Sequence, residues 1–357
     1  MNNHENMMYN SLKDLSTIPG PVGREYLVRQ WLVDRWKKKS IEVFEDRIGN
    51  LLFKIGGKGP KLLIQAHMDE IGFVIRYITP EGFLLLDPAQ ESHRTSPGHL
   101  YMVGQEAQIL VKNKVVATGI FAAPSGHVLT TDLINKPLTF NSFYVDIGVN
   151  SKEEAESLGI QVGANVVWHR DLKRVGSRYV GKAMDDRVGL HVMDLLLNEI
   201  DVKKLNYELW FGATVSEENG AYGAHSLGKD MKFDLAIPLD VGLVGDIPTI
   251  SNEEYPTKLG AGPSLVYKDG FINYDENLLD SLEKIALENK LPFQRATYHH
   301  YGSDGLEFYK NGIPSALIGI PTRYTHTAFE MVDPKDIVVT VQLLKSFIEH
   351  YNKRYNL

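Results

Sequence analysis

The alternation of apolar and polar positions divides the chain into recognisable elements. From Tyr26 to Lys39 the apolar residues fall at helical spacing, and the run ends on three lysines, the charge a helix carboxyl terminus favours. "EVFEDRIGNLLFKIGG" predicts two short strands around a turn. "KLLIQAHMDE" is almost unbroken in its apolar residues, the pattern of a strand covered on both faces. Between Ile71 and Val166 the grammar changes. "IGFVIRYITPEGFLLLD", "YMVGQEAQILVKNKVVATGIF" and "SFYVDIGV" read as short strands broken by Gly, Pro and Asn turns. "SKEEAESLGI" reads as one helix with Ser151 as its N-cap. After "GKAMDDRVG", helices and strands alternate again: "VGLHVMDLLLNEI", "YELWFGATVSEE", "DLAIPLDV", "NYDENLLDSLEKIALENK", "PSALIGIP" and "DIVVTVQLLKSFIEHYNKRY". The fold class that follows is α/β, with a mostly parallel central sheet flanked by helices and a small all-β unit inserted into it. The expected division is 1–70 with 167–357 as one discontinuous unit and 71–166 as a barrel-like insert.

Composition narrows the class of protein. At 357 residues the chain exceeds one simple core, and 43% hydrophobic with 23% charged residues is ordinary for a soluble globular protein. The net charge of −7, from 38 basic and 45 acidic residues, argues against nucleic acid or an anionic membrane as partner. There is no cysteine, which excludes disulfides, thiolate metal sites and cysteine nucleophiles. The first residues are polar, and no run approaches the roughly 18 apolar residues of a membrane span, so the expected location is cytoplasmic.

The candidate chemistry gathers at strand ends. "LLIQAH" ends on His67, with Asp69 two residues later; "LWFGATVS" leads to Glu217 and Glu218; "LAIPL" to Asp240; "SALIGIPTRYT" to His326. In open α/β sheets, ligands collect beyond the carboxyl ends of the strands. "GKAMDD" adds Asp185 and Asp186 at a helix start. Imidazoles and carboxylates without sulfur suit zinc, cobalt or manganese. One ion needs about three protein ligands, so this inventory fits two divalent ions sharing a carboxylate. Adjacent side chains on a strand point to opposite faces, so one of Glu217 and Glu218 is expected to bind metal while the other takes a proton from an activated water. Taken singly, each of these groups is better explained as solvated surface or a helix cap; their coincidence at one sheet edge argues for a site. His299 and His300 read as a surface pair. His93, His99 and His127 fall in the β insert, and His169, His191 and His225 lack ligand spacing.

The motifs "AHMDEIG", "GKAMDDRVG", "TVSEENG", "IPLDVG", "LGAGP" and "PTRYTHT" occur in the order found in the tetrahedral (TET) aminopeptidase family, which the chain resembles from "LSTIPGPVGRE" to its last helix. The resemblance implies that His67 and Asp240 hold one metal, Glu218 and His326 the other, and that Asp185 bridges them. It implies Glu217 as general base and Asp69 as the hydrogen-bond partner of His67. The implied reaction is release of amino-terminal residues from short peptides by a metal-activated water. The insert would be the dimerisation unit of a tetrahedral dodecamer. "EENGAYGA", "DVGLVGD" and "SDG" depart from the usual motifs but remove no candidate ligand. Two other functions fit the residues less well: a dinuclear deacylase of acylated amino acids, and a non-catalytic assembly protein. A metal-free glycosidase leaves the histidines without a role.

Overall fold

The computed structural model describes residues 3–40, 42–90, 102–136 and 140–350; His93 and His99 lie outside them. Strands β1 (Glu42–Glu45), β2 (Leu51–Gly56) and β3 (Lys61–His67) come first. A closed barrel follows, made of β4 (Phe73–Ile78), β5 (Leu84–Pro88), β6 (Glu106–Val111), β7 (Lys114–Ala122), β8 (Tyr144–Asp146) and β9 (Asn165–Trp168). The chain then returns to the large sheet with β10 (Lys173–Val175), β11 (Arg178–Gly181), β12 (Glu208–Thr214) and β13 (Leu235–Leu243). It finishes with β14 (Ser264–Lys268), β15 (Gln294–Thr297), β16 (Leu317–Arg323) and β17 (Glu330–Val332).

The sheet order is β1-β2-β12-β3-β13-β16-β17-β11-β10, with β14 beside β16 and β15 beside β14. Its centre, β12-β3-β13-β16, is parallel, and antiparallel strands close both sides. Register matters more than strand count here. Thr214 pairs with His67, Pro238 with Gln65, and Asp240 with Gly319. Continuing the β13–β3 register by two residues sets Asp240 level with His67, so three neighbouring strands deliver polar groups to one row.

Period-two alternation assigns the two faces of β3. Leu62, Ile64 and Ala66 pack into the main core with Leu190, Met193 and Leu344, under helix Met184–Glu199, which is flanked by Asn3–Thr17 and Pro334–His350. Leu63 faces the other way, with Trp210, Ala224 and Phe308, beneath helices Tyr222–Asp230 and Gly305–Lys310. Each such buried aliphatic or aromatic side chain contributes roughly 1.5–3 kcal/mol. Trp36, fully buried, meets Phe53 edge-on at 5.2 Å and donates its indole N–H to Asp194 at 3.0 Å. The barrel has its own core around Ile75, Leu84, Ile109, Phe121 and Val145. Ala328, from the loop after β16, is buried in that barrel core.

The helix predicted from Tyr26 runs to Trp36 and tightens into one turn of 3-10 helix over the lysines. Ser151 caps helix Lys152–Ser157, accepting from the Glu154 N–H. Helices Asn3–Thr17, Tyr222–Asp230 and Gly305–Lys310, and strands β9, β10, β11, β14, β15 and β17, are not anticipated by the sequence pattern.

Candidate metal centre

His67 ends β3 with its side chain buried. Asp240 lies within β13 rather than beyond its end, since that strand continues to Leu243. Glu217 and Glu218 follow β12 by three and four residues, in a turn entered through Ser216 at φ +54°. Asp185 sits between β11 and the regular part of helix Met184–Glu199, after Ala183 at φ +54°, and keeps a non-helical backbone. His326 projects from the loop after β16, itself at φ +62°. These left-handed residues are uncommon outside glycine and mark backbone bent to aim side chains.

Five of these six groups converge as two sets of possible ligands. His67 Nε2 is 3.0 Å from Asp185 Oδ1. His326 Nε2 is 3.3 Å from the other Asp185 oxygen and 3.1 Å from Glu218 Oε1. Two sets of ligand atoms each lie within 4.8 Å: His67, Asp185 and Asp240, and Asp185, Glu218 and His326. Asp185 belongs to both.

The paired glutamates divide between the two sets. Glu217 Oε2 approaches His67 Nε2 at 4.0 Å, whereas Glu218 faces His326. Strand alternation does not cause this, because the pair lies past the strand. Asp69 does: its two carboxylate oxygens accept the Glu217 and Glu218 N–H groups, each at 3.0 Å, and so fix the turn. Its Oδ1 is also 3.4 Å from His67 Nδ1, a looser contact than those two bonds. Asp186, predicted beside Asp185, instead caps the helix by accepting the Gly189 N–H at 3.1 Å.

The electrostatics are those of a site built for positive charge. Burial, reinforced by neighbouring acids, raises Asp240, Glu217 and Asp186 well above the usual carboxylate range; burial also raises Glu218. Asp185 moves the opposite way, because hydrogen bonds from His326 and His67 outweigh its burial. Burial alone would lower both histidines, yet Asp185 and Asp69 raise His67, and Glu218 and Asp185 raise His326. Buried acids outnumber buried bases, and their oxygens point at one another; divalent cations meet that requirement directly. The donor set of nitrogen and oxygen atoms without sulfur fits zinc, cobalt or manganese.

Other buried acids escaped the sequence reading. Glu330 accepts the Asp185 and His326 N–H groups, at 3.0 and 2.8 Å. Asp304 accepts from Thr214 and Gln65, both at 2.5 Å, and burial pushes it up to about 7. Glu70 binds Lys182 through both oxygens at 2.7 Å. Glu25 accepts the Gly23 and Ser216 N–H groups at 2.7 and 3.0 Å, bracing the turn before Glu217 from the "PGPVGRE" loop. Isolated acids in irregular segments carry no periodic signal. The expected bystanders are elsewhere: His127, His299 and His300 are exposed, His169 is 3.4 Å from Glu106, and His225 is 2.8 Å from Glu307.

A large mixed sheet flanked by helices, a closed barrel and this cluster at the strand ends define an α/β scaffold whose clustered side chains could hold metal ions. Residues 49–343 match the family model described as M42 glutamyl aminopeptidase, and the chain belongs to that family. It is 31% identical over 340 residues to FrvX of Escherichia coli (strain K12), covering 94% of each chain. It is 26% identical over 345 residues to the lysyl aminopeptidase of Pyrococcus furiosus, covering 95% of this chain and 96% of that one. The crystal structure of a TET aminopeptidase from a marine sediment archaeon of the Thaumarchaeota superposes with a TM-score of 0.91 at 28% identity, covering 98% of both chains. Among the described residues, no helix is long and apolar enough to cross a membrane.

Proposed function

We propose that this chain is a dinuclear metal-dependent aminopeptidase that removes residues from the free amino termini of short peptides. The observation that carries the reading is the sharing of Asp185 between two ligand sets. In this reading His67, Asp185 and Asp240 hold one divalent ion and Asp185, Glu218 and His326 the other, zinc being favoured, with cobalt or manganese compatible. Such ions, when bound, supply Lewis-acid polarisation of a carbonyl and a lowered water pKa.

The rest of the chemistry belongs to the side chains. Glu217 belongs to neither ligand set, and it accepts the proton of the attacking water and passes it to the leaving amine. Burial raises its proton affinity, as a base that must later act as an acid requires. Asp69 fixes Glu217 and Glu218 through their amides and stands beside the imidazole of His67. Residues 1–70 with 167–357 form the catalytic part, and 71–166 the inserted barrel through which copies pair. Likeness to the TET aminopeptidase supports a homo-oligomer, read here as a tetrahedral dodecamer built from dimers, and the location is read as cytoplasmic.

The experiment compares peptides bearing a free amino terminus with N-acetylated amino acids as substrates for the zinc-loaded protein. Release of the first residue from the free peptides alone supports the proposal. Cleavage of only the acylated compounds assigns the centre to deacylase chemistry.

A further inference from the structure

We propose that Glu330 is a positioning residue that sets the spacing between Asp185 and His326, and with it the affinity for the ion those two residues share with Glu218. The proposal rests on the two-metal reading given above.

Strand order places Glu330 for this task. β17 lies between β16, the strand that leads to His326, and β11, the strand that leads to Asp185. On one side Glu330 pairs with Gly181 of β11; on the other, Met331 pairs with Arg323 of β16. The backbone that carries the Glu330 carboxylate is therefore held by ladders to both approaching strands. The side chain is 2% exposed, and each oxygen has one backbone partner: Oε2 accepts from Asp185 N at 3.0 Å and Oε1 from His326 N at 2.8 Å.

Neither amide is served by a helix or strand. The Asp185 N–H follows Ala183 at φ +54°, and the His326 N–H belongs to a residue at φ +62°, two positions after Tyr324 at φ +63°. A backbone N–H left unpaired in a buried site is costly, so these bent segments need an acceptor, and one carboxylate supplies both. The side chains on those amides meet 3.3 Å apart, His326 Nε2 to Asp185 Oδ2. Glu330 thus acts through two residues from distant parts of the chain. Asp69 does the same for two adjacent residues of one turn. Outer partners of this kind typically set metal affinity within a factor of 10–100.

Glu330→Gln preserves shape but offers one acceptor oxygen. Its NH2 group must then face a backbone N–H, so one half of the clamp fails. The set of Asp185, Glu218 and His326 uses both clamped residues, whereas the set of His67, Asp185 and Asp240 uses one.

The test is calorimetric titration of zinc into chelator-stripped, full-length wild-type and Glu330→Gln proteins, with circular dichroism to verify folding. The expected result is two binding events in the wild type, one of them weakened about 10–100-fold in the variant and the other changed several-fold at most. Glu330→Asp, which keeps two acceptors on a shorter reach, is titrated alongside and carries the same expectation if the Gln variant does not fold. Equal weakening of both events means general support of the fold and overturns the proposal. Unchanged affinities in the variants, beside two events in the wild type, overturn the role of Glu330 alone. A wild type that binds no zinc overturns this role and the two-metal reading together.

Discussion

Lys182→Met tests whether the buried charge cluster behind the site holds its loops together. Lys182 lies three residues before Asp185, and Glu70 three residues after His67, so their ion pair joins two segments that carry candidate ligands. Lys182 Nζ is 2.7 Å from both Glu70 oxygens, and the side chains are 1% and 2% exposed. Glu70 also accepts the Gly20 N–H at 3.0 Å, and Arg187 stands 3.7 Å away. Removing one partner of a buried pair costs about 3–5 kcal/mol, because the other charge is stranded. In Lys182→Met, Arg187 and the Gly20 amide still face Glu70, which puts the loss near the lower end, about 3 kcal/mol. Glu70→Gln leaves buried Lys182 without its carboxylate and also takes the 3.7 Å partner from Arg187, which keeps its bonds to the Met68, Leu15 and Ile18 carbonyls, so its cost lies toward the upper end, about 5 kcal/mol. The double variant should cost less than the sum of the singles by roughly 1–3 kcal/mol. Urea unfolding of the metal-free protein at a single protein concentration measures all three. A Lys182→Met loss under about 1 kcal/mol, or strict additivity, would refute the reasoning.

Two other predictions concern proton chemistry. Glu217→Gln keeps its place in the turn but cannot accept a proton; turnover should fall by roughly 10²–10⁴ while elemental analysis finds both metals. Loss of metal from that variant would mean that the two glutamates have exchanged roles. Burial lowers His191 from 6.5 to about 4, and only Ser11 bonds its ring, at 3.0 Å, among the described residues. The unfolded chain then takes up a proton near pH 6.5 that the folded chain refuses until about pH 4. Stability is present in full above that window and is lost as pH falls through it, by about 3 kcal/mol in total. His191→Asn should flatten the dependence of unfolding free energy on pH between 6.5 and 4; parallel curves for the two proteins would contradict the assignment.

The sequence was most legible where a periodic pattern coincided with chemistry. β3, β12, β13 and β16 read as apolar runs because helices cover both faces, and each one announced a polar group near its carboxyl end. The opening helix was missed although Met8, Leu12 and Leu15 fall on one buried face, because the polar residues between them dominate the stretch. Helix Tyr222–Asp230 hides behind glycines. Gly223 is there because a Cβ would come within 2.3 Å of the Val215 carbonyl, a tertiary constraint that local pattern does not carry. β17 has three residues, too few for alternation to register, yet it carries Glu330. The candidate ligands could be picked out because metal chemistry restricts residue type. Glu25 and Glu330, which hold backbone amides, could not, because any acid in the right place would do, and only the fold defines that place.

The central claim is most directly tested by incubating the purified protein with a mixed pool of short peptides, with and without a chelator and with zinc or cobalt restored, and following the products by mass spectrometry. Stepwise shortening from the amino terminus, abolished by the chelator and recovered with metal, is the predicted result. Peptides left intact under every metal condition, or shortening that persists in the chelator, would contradict the account.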